Sequence, residues 1–247
     1  MTNTPNSAAR ERLIFALDVA GGLEESIAWV DRLKGSVGLF KVGKESFVRH
    51  GTQIVRQIHD RGGKVFLDLK FHDIPNTVGR AAEAAFDLGV AMFNLHALGG
   101  KAMLQEAVRS VRVRAQETGK PQPIVLAVTV LTSLNDADLR EIGLHRGTRE
   151  TVLHLARLSQ DAGATGVVAS AEEAPAIRQA CGEGFLIVTP GIRGVAEVPG
   201  DDQKRVLTPR EALRRGADYL VVGRPIRQAQ DPTAAADEIV AEMAKGL

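Results

Sequence analysis

Three charged side chains, Asp68, Lys70 and Asp73, stand close together in "FLDLKFHDIPNT", Phe66 to Thr77, where an apolar run otherwise reads as the end of a buried strand. Residues two apart on a strand project to one face, separated by about 6.6 Å of rise, so Asp68 and Lys70 are expected to point together. Lys41, in the neighbouring run "LFKVG", can lie beside Asp68, and Asp73 can close the series. Each charge alone would be costly to bury, whereas alternating signs keep all four ionised and fixed. An ammonium held in this way can stabilise developing negative charge and then donate its proton. The bland alternative is an ion-pair network that only pins the end of a sheet.

Such a cluster needs a scaffold, and the rest of the chain supplies one. Short β-rich apolar runs begin at Leu13, Leu39, Lys64, Met92, Ile124, Gly166, Phe185 and Tyr219, with helically spaced segments such as "LEESIAWVDRLKG" and "TVLHLARLSQDAG" between them. Strands apolar on both faces imply a parallel sheet covered by helices, and eight such units close as a single (β/α)8 TIM barrel. A doubly wound sheet competes, but no glycine-rich dinucleotide fingerprint follows the first run. The reading is one domain over residues 1–247, with residues 1–12 a polar extension.

Local punctuation agrees. Thr208 is placed to cap a helix that starts at Pro209, with Glu211 completing a capping box and Gly216 ending the helix, and Asp231 caps a final helix starting at Pro232. Two gaps, residues 132–149 and 190–203, are long enough to be lids. Barrel active sites are built at the C-terminal ends of the strands. The polar residues expected there are Asp18, Lys41, Asp68, Lys70, Asn94, His96, Thr132, Ser133, Arg193 and Arg224.

Composition excludes several classes of function. The 247 residues are 44% hydrophobic with a net charge of +1, and one Trp and one Tyr offer neither a basic field nor an aromatic platform for nucleic acid. No apolar run approaches a membrane span, and "MTNTPNSAARER" has no apolar signal core. A single cysteine, Cys181, excludes an intrachain disulfide framework and reads as a small buried hydrophobe. A reducing cytoplasm is the expectation. His72 and His96 lack partners at metal-ligand spacing, and His96 reads as a hydrogen-bonding support for the charged cluster. "RSVRVRAQE" reads as a solvated helical face, and Met103 and Leu104 as packing residues.

"FLDLKFHDIPNTV" resembles the signature of the orotidine 5'-phosphate decarboxylase family. The similarity extends, in order, through "ALDV" (16–19), "FKVGKESF" (40–47), "NLHALGG" (94–100), "VLTS" (130–133), "TPGIR" (189–193), "DQKRVLTP" (202–209) and "VVGRPI" (221–226). The resemblance implies decarboxylation of orotidine 5'-phosphate to UMP, with Lys70 protonating C6 and Lys41, Asp68 and Asp73 completing a charged tetrad. It implies a homodimer in which Asp73, Ile74 and Thr77 serve the partner's site. Asp18, Lys41 and Thr77 would hold ribose hydroxyls, and Asp68 would face the substrate carboxylate. Thr132 and Ser133 would lie near ribose and pyrimidine, and Arg193, Gln203, Gly223 and Arg224 would bind phosphate. No metal or cofactor is implied. The stretch from Arg193 to Gln203 is about one residue longer than the family pattern, which leaves the reach of Gln203 open.

Two other readings stand beside this one. A metal-dependent sugar-phosphate lyase or decarboxylase of the same superfamily also carries D-x-K-x-x-D, but such relatives generally place a magnesium-binding glutamate where this chain has Lys41. A noncatalytic nucleotide-monophosphate binder would keep the barrel and phosphate grip without needing the intact tetrad.

Overall fold

The computed structural model describes residues 5–19, 21–192 and 207–247. Among the described residues eight strands form: β1 (Leu13–Ala16), β2 (Leu39–Gly43), β3 (Val65–Phe71), β4 (Met92–His96), β5 (Ile124–Val128), β6 (Gly166–Val168), β7 (Leu186–Pro190) and β8 (Tyr219–Val222). They are the runs dense in Val, Ile, Leu and Phe, whose side chains suit a pleated surface buried on both faces. Every residue of β1 and β2 is buried. Hydrogen-bonded neighbours follow chain order in a closed barrel. At least one helix follows each strand, so the fold is the expected (β/α)8 barrel.

The chain divides into two compact units, one comprising the chain up to Leu69 and from Thr189 onward, the other Lys70–Val188. In the first unit β1 pairs with β8 through Phe15↔Val222 and with β2 through Ala16↔Lys41, and β2 pairs with β3 through Lys41↔Phe66 and Gly43↔Asp68. Phe15 anchors the packing: its ring stacks on Trp29 at 5.7 Å and meets Phe40 edge-on at 6.4 Å. Within the stretch read as a polar extension, Pro5–Glu11 is a helix with Ala9 buried. It packs against the last helix, Pro232–Ala244, where Arg10 pairs with Asp237 at 3.6 Å.

In the second unit β4 to β7 run parallel in the register Asn94↔Leu126, Val128↔Val168 and Val168↔Val188. Helix Pro75–Asp87 begins with Pro75, whose missing N–H costs nothing at that position. It buries Val78, Gly79, Ala82, Ala85 and Phe86, a stripe of helical period, and packs on helix Gly100–Thr118.

Two local expectations are revised. The gap at 132–149 is partly helical, with Asp136–Glu141 held by a reciprocal box between Asn135 and Asp138 and the next helix starting at Thr148. Thr208 does cap helix Pro209–Arg214, but Glu211 gives no box: its carboxylate takes Arg215 at 2.8 Å, one turn along. Gly216 adopts the left-handed φ of +101° expected of a helix stop, and Asp231 accepts from Thr233 and Ala234 N–H at the start of the final helix.

Candidate active site

Within the first unit the charged residues come together as the strand period demands. Lys41 is buried in β2, and its ammonium lies 2.9 Å from Asp18 Oδ2 and 3.3 Å from Asp68 Oδ2. Asp68 stands opposite Gly43 in the β2–β3 register, so the long lysine side chain spans the difference. Gly43 leaves room for the ion pair: a Cβ there would fall 2.6 Å from Asp18 Oδ1 and 3.0 Å from Lys41 Nζ, and would push the two side-chain ends from their present places. Burial, the largest single influence on Lys41, would lower its pKa, but the combined attraction of Asp68 and Asp18 and their hydrogen bonds outweighs it and holds the ammonium above the ordinary lysine value.

Asp18 and Lys41 also line a cavity of about 270 Å³, together with Gly191, Gly223, Arg224 and Arg227. Gly223 sits where a Cβ would press to 3.2 Å from the Ala16 methyl, so the chain after β8 runs close to β1. Arg227 was not anticipated: its guanidinium donates to the Asp18 backbone carbonyl from one turn beyond Arg224. The only sequence hint is a second arginine three residues along in "GRPIRQ".

In the second unit Lys70 is partly buried near the end of β3, and its N–H donates to the side-chain oxygen of Asn94 at 2.8 Å. Among the described residues Lys70 is the one non-glycine with a left-handed backbone, at φ +52°. The two-residue alternation of an extended strand therefore does not carry through this position, and the sequence argument for the direction of its side chain loses its basis. Asn94 is 1% exposed. His72 and His96 lie ring to ring at 5.4 Å.

Asp73, Ile74 and Thr77 are all exposed at the start of helix Pro75–Asp87, with Ile74 66% accessible and the Asp73 carboxylate accepting the Ile74 N–H at 2.6 Å. Thr132 and Ser133 are exposed in a turn closed by Leu134 N–H to Leu131 C=O at 2.9 Å. Arg193 and Gln203 lie outside the described residues. Cys181 is half-buried, and burial pushes its thiol up, away from the reactive thiolate. Among the described residues no helix is long and apolar enough to cross a membrane, and no three His, Cys, Asp or Glu side chains gather as a metal-binding set.

A parallel barrel that carries a buried ammonium–carboxylate pair on β2 and β3, with Asp18 just beyond β1, has the layout of a barrel enzyme. Within that class, a sequence profile described as "Orotidine 5'-phosphate decarboxylase / HUMPS family" matches residues 11–239, and the chain belongs to this family. It is 62% identical over 248 aligned positions to the orotidine 5'-phosphate decarboxylase of Syntrophus aciditrophicus (strain SB), covering 100% of this chain and 99% of that protein. It is 54% identical to the enzyme of the same name from Moorella thermoacetica (strain ATCC 39073 / JCM 9320), with 95% and 93% covered. The crystal structure of orotidine 5'-phosphate decarboxylase from Lactobacillus acidophilus superposes with a TM-score of 0.82 at 38% identity, over 94% of this chain and 98% of that one.

Proposed function

We propose that this protein decarboxylates orotidine 5'-phosphate to UMP and CO2 in pyrimidine biosynthesis, without metal or organic cofactor, as a cytoplasmic single-domain barrel working as a homodimer. The names of its full-length relatives support the substrate. The observation that carries the mechanism is Lys41: its ammonium fills the space between Asp18 and Asp68 that a divalent cation would need, at 2.9 and 3.3 Å. A second positive charge there would be repelled, which weighs against the metal-dependent reading.

In the proposed reaction the bond from C6 to the carboxylate carbon breaks heterolytically, CO2 leaves, and the electron pair remains on C6 in an orbital that the ring delocalises poorly. The ammonium of Lys70 stabilises that pair and gives it a proton, then regains one from water. Asp68, with the partner subunit's Asp73, keeps Lys70 charged and oriented. Asp68 also faces the departing carboxylate, a like-charge contact that relaxes as CO2 leaves.

Asp18 and Lys41 bind ribose hydroxyls, as does the partner's Thr77, beside the partner's Ile74. Thr132 and Ser133 border the pyrimidine. Gly223 and Arg224, with Arg193 and Gln203, bind phosphate, whose binding energy orients the distant ring. A cavity with an ammonium–carboxylate pair and a guanidinium in its lining suits a sugar phosphate.

The deciding measurement is ultraviolet absorbance of orotidine 5'-phosphate incubated with the purified protein in excess EDTA. The orotate band is expected to decay to that of UMP at an undiminished rate. An unchanged spectrum with or without chelator would identify a binder rather than an enzyme. Activity abolished by EDTA and restored by magnesium would favour the metal-dependent alternative.

A further inference from the structure

Lys70 holds a backbone conformation that side-chain-bearing residues rarely adopt, φ +52°, near the end of a strand whose earlier residues pair regularly. An L-residue stays there only if its surroundings fix it. Those surroundings include a buried group of suitable kind. Asn94 takes its place in β4 opposite Leu126, is 1% exposed, and turns its carboxamide oxygen to the Lys70 N–H at 2.8 Å. Rotating the peptide plane that carries this N–H would change φ at Lys70 and swing the N–H off the carboxamide together, and a short, well-made hydrogen bond inside the protein is costly to lose. The direction in which the Lys70 side chain leaves the backbone follows from φ, so the same bond governs where its ammonium is delivered.

We propose that Asn94 is a positioning residue for Lys70: by accepting the Lys70 N–H it holds the left-handed backbone that aims the ammonium. The kinetic part of this inference rests on the reading of Lys70 as the proton donor, while the conformational part stands without it.

The test compares wild type with Asn94→Leu, which keeps the branched outline of the side chain but removes the acceptor, and with Asn94→Asp, which keeps an acceptor at the same place. Asn94→Ala replaces the leucine variant if leucine does not fold, as judged by thermal melting. In the apolar variant, kcat for orotidine 5'-phosphate is expected to fall on the order of 100-fold, the scale of a small misplacement of a reacting group, while KM stays within about threefold. A crystal structure of that variant is expected to show Lys70 at negative φ. Asn94→Asp is expected to retain the left-handed Lys70 and recover most of kcat. Lys70 still at positive φ in the apolar variant overturns the proposal, as does a loss confined to KM. Absence of turnover in wild type would instead sink the proton-donor reading, and the comparison of φ would still decide whether Asn94 positions Lys70.

Discussion

Lys41 shows how burial and charge compete at one nitrogen. Removing it takes from the buried Asp68 and the part-exposed Asp18 the ammonium they share, so Lys41→Met is expected to destabilise the fold by about 3 kcal/mol at neutral pH. The sign of its pH dependence follows from the raised pKa. Below the ordinary lysine value of 10.5 both folded and unfolded chains carry the proton and the full contribution is present. As pH climbs past that value the unfolded chain loses its proton first, and the stabilisation declines until the folded lysine also titrates. Urea unfolding should therefore give a constant gap between wild type and Lys41→Met from pH 7 to 9 and a narrowing gap above about 10.5. A gap that widened at high pH would contradict the assignment.

At the scale of elements, helix Ala174–Cys181 meets the turn before β7 through Arg178. A single guanidinium nitrogen donates to the carbonyls of Gly182, Glu183 and Phe185, each at 2.9 Å, with the side chain only 12% exposed. Arg178→Ala removes all three bonds at once and is expected to cost about 2 kcal/mol in urea unfolding. The eight strands were legible because burial on both faces writes a continuous apolar run into the sequence. Helix Asp136–Glu141 was not: it is six residues long, buries only Leu139, and depends on the Asn135–Asp138 box inside a polar stretch. The pairing of Lys41 with Asp68 and Asp18 was foreseeable from strand period and neighbouring runs. The turn at Lys70 depends on Asn94, 24 residues away, and the Arg227 bond to Asp18 spans 209, so neither leaves a local signature.

At the scale of the whole molecule, Asp73, Ile74 and Thr77 are exposed together at the start of helix Pro75–Asp87. If Asp73 serves the partner's site, inactive Lys70→Ala and Asp73→Asn proteins should regenerate activity when mixed under conditions of subunit exchange. One of the two sites in each hybrid then holds both native residues, giving about a quarter of wild-type turnover at full statistical exchange. Exchange proven by mass spectrometry without recovered turnover would assign Asp73 to its own chain. The positive φ of Lys70 has a consequence for the molecule as a thermodynamic object. Glycine would occupy that backbone at lower cost, by about 1 kcal/mol. Selection for durability alone would thus drift toward glycine at this position; if Lys70 is the proton donor proposed above, the chain forgoes robustness there to carry an ammonium.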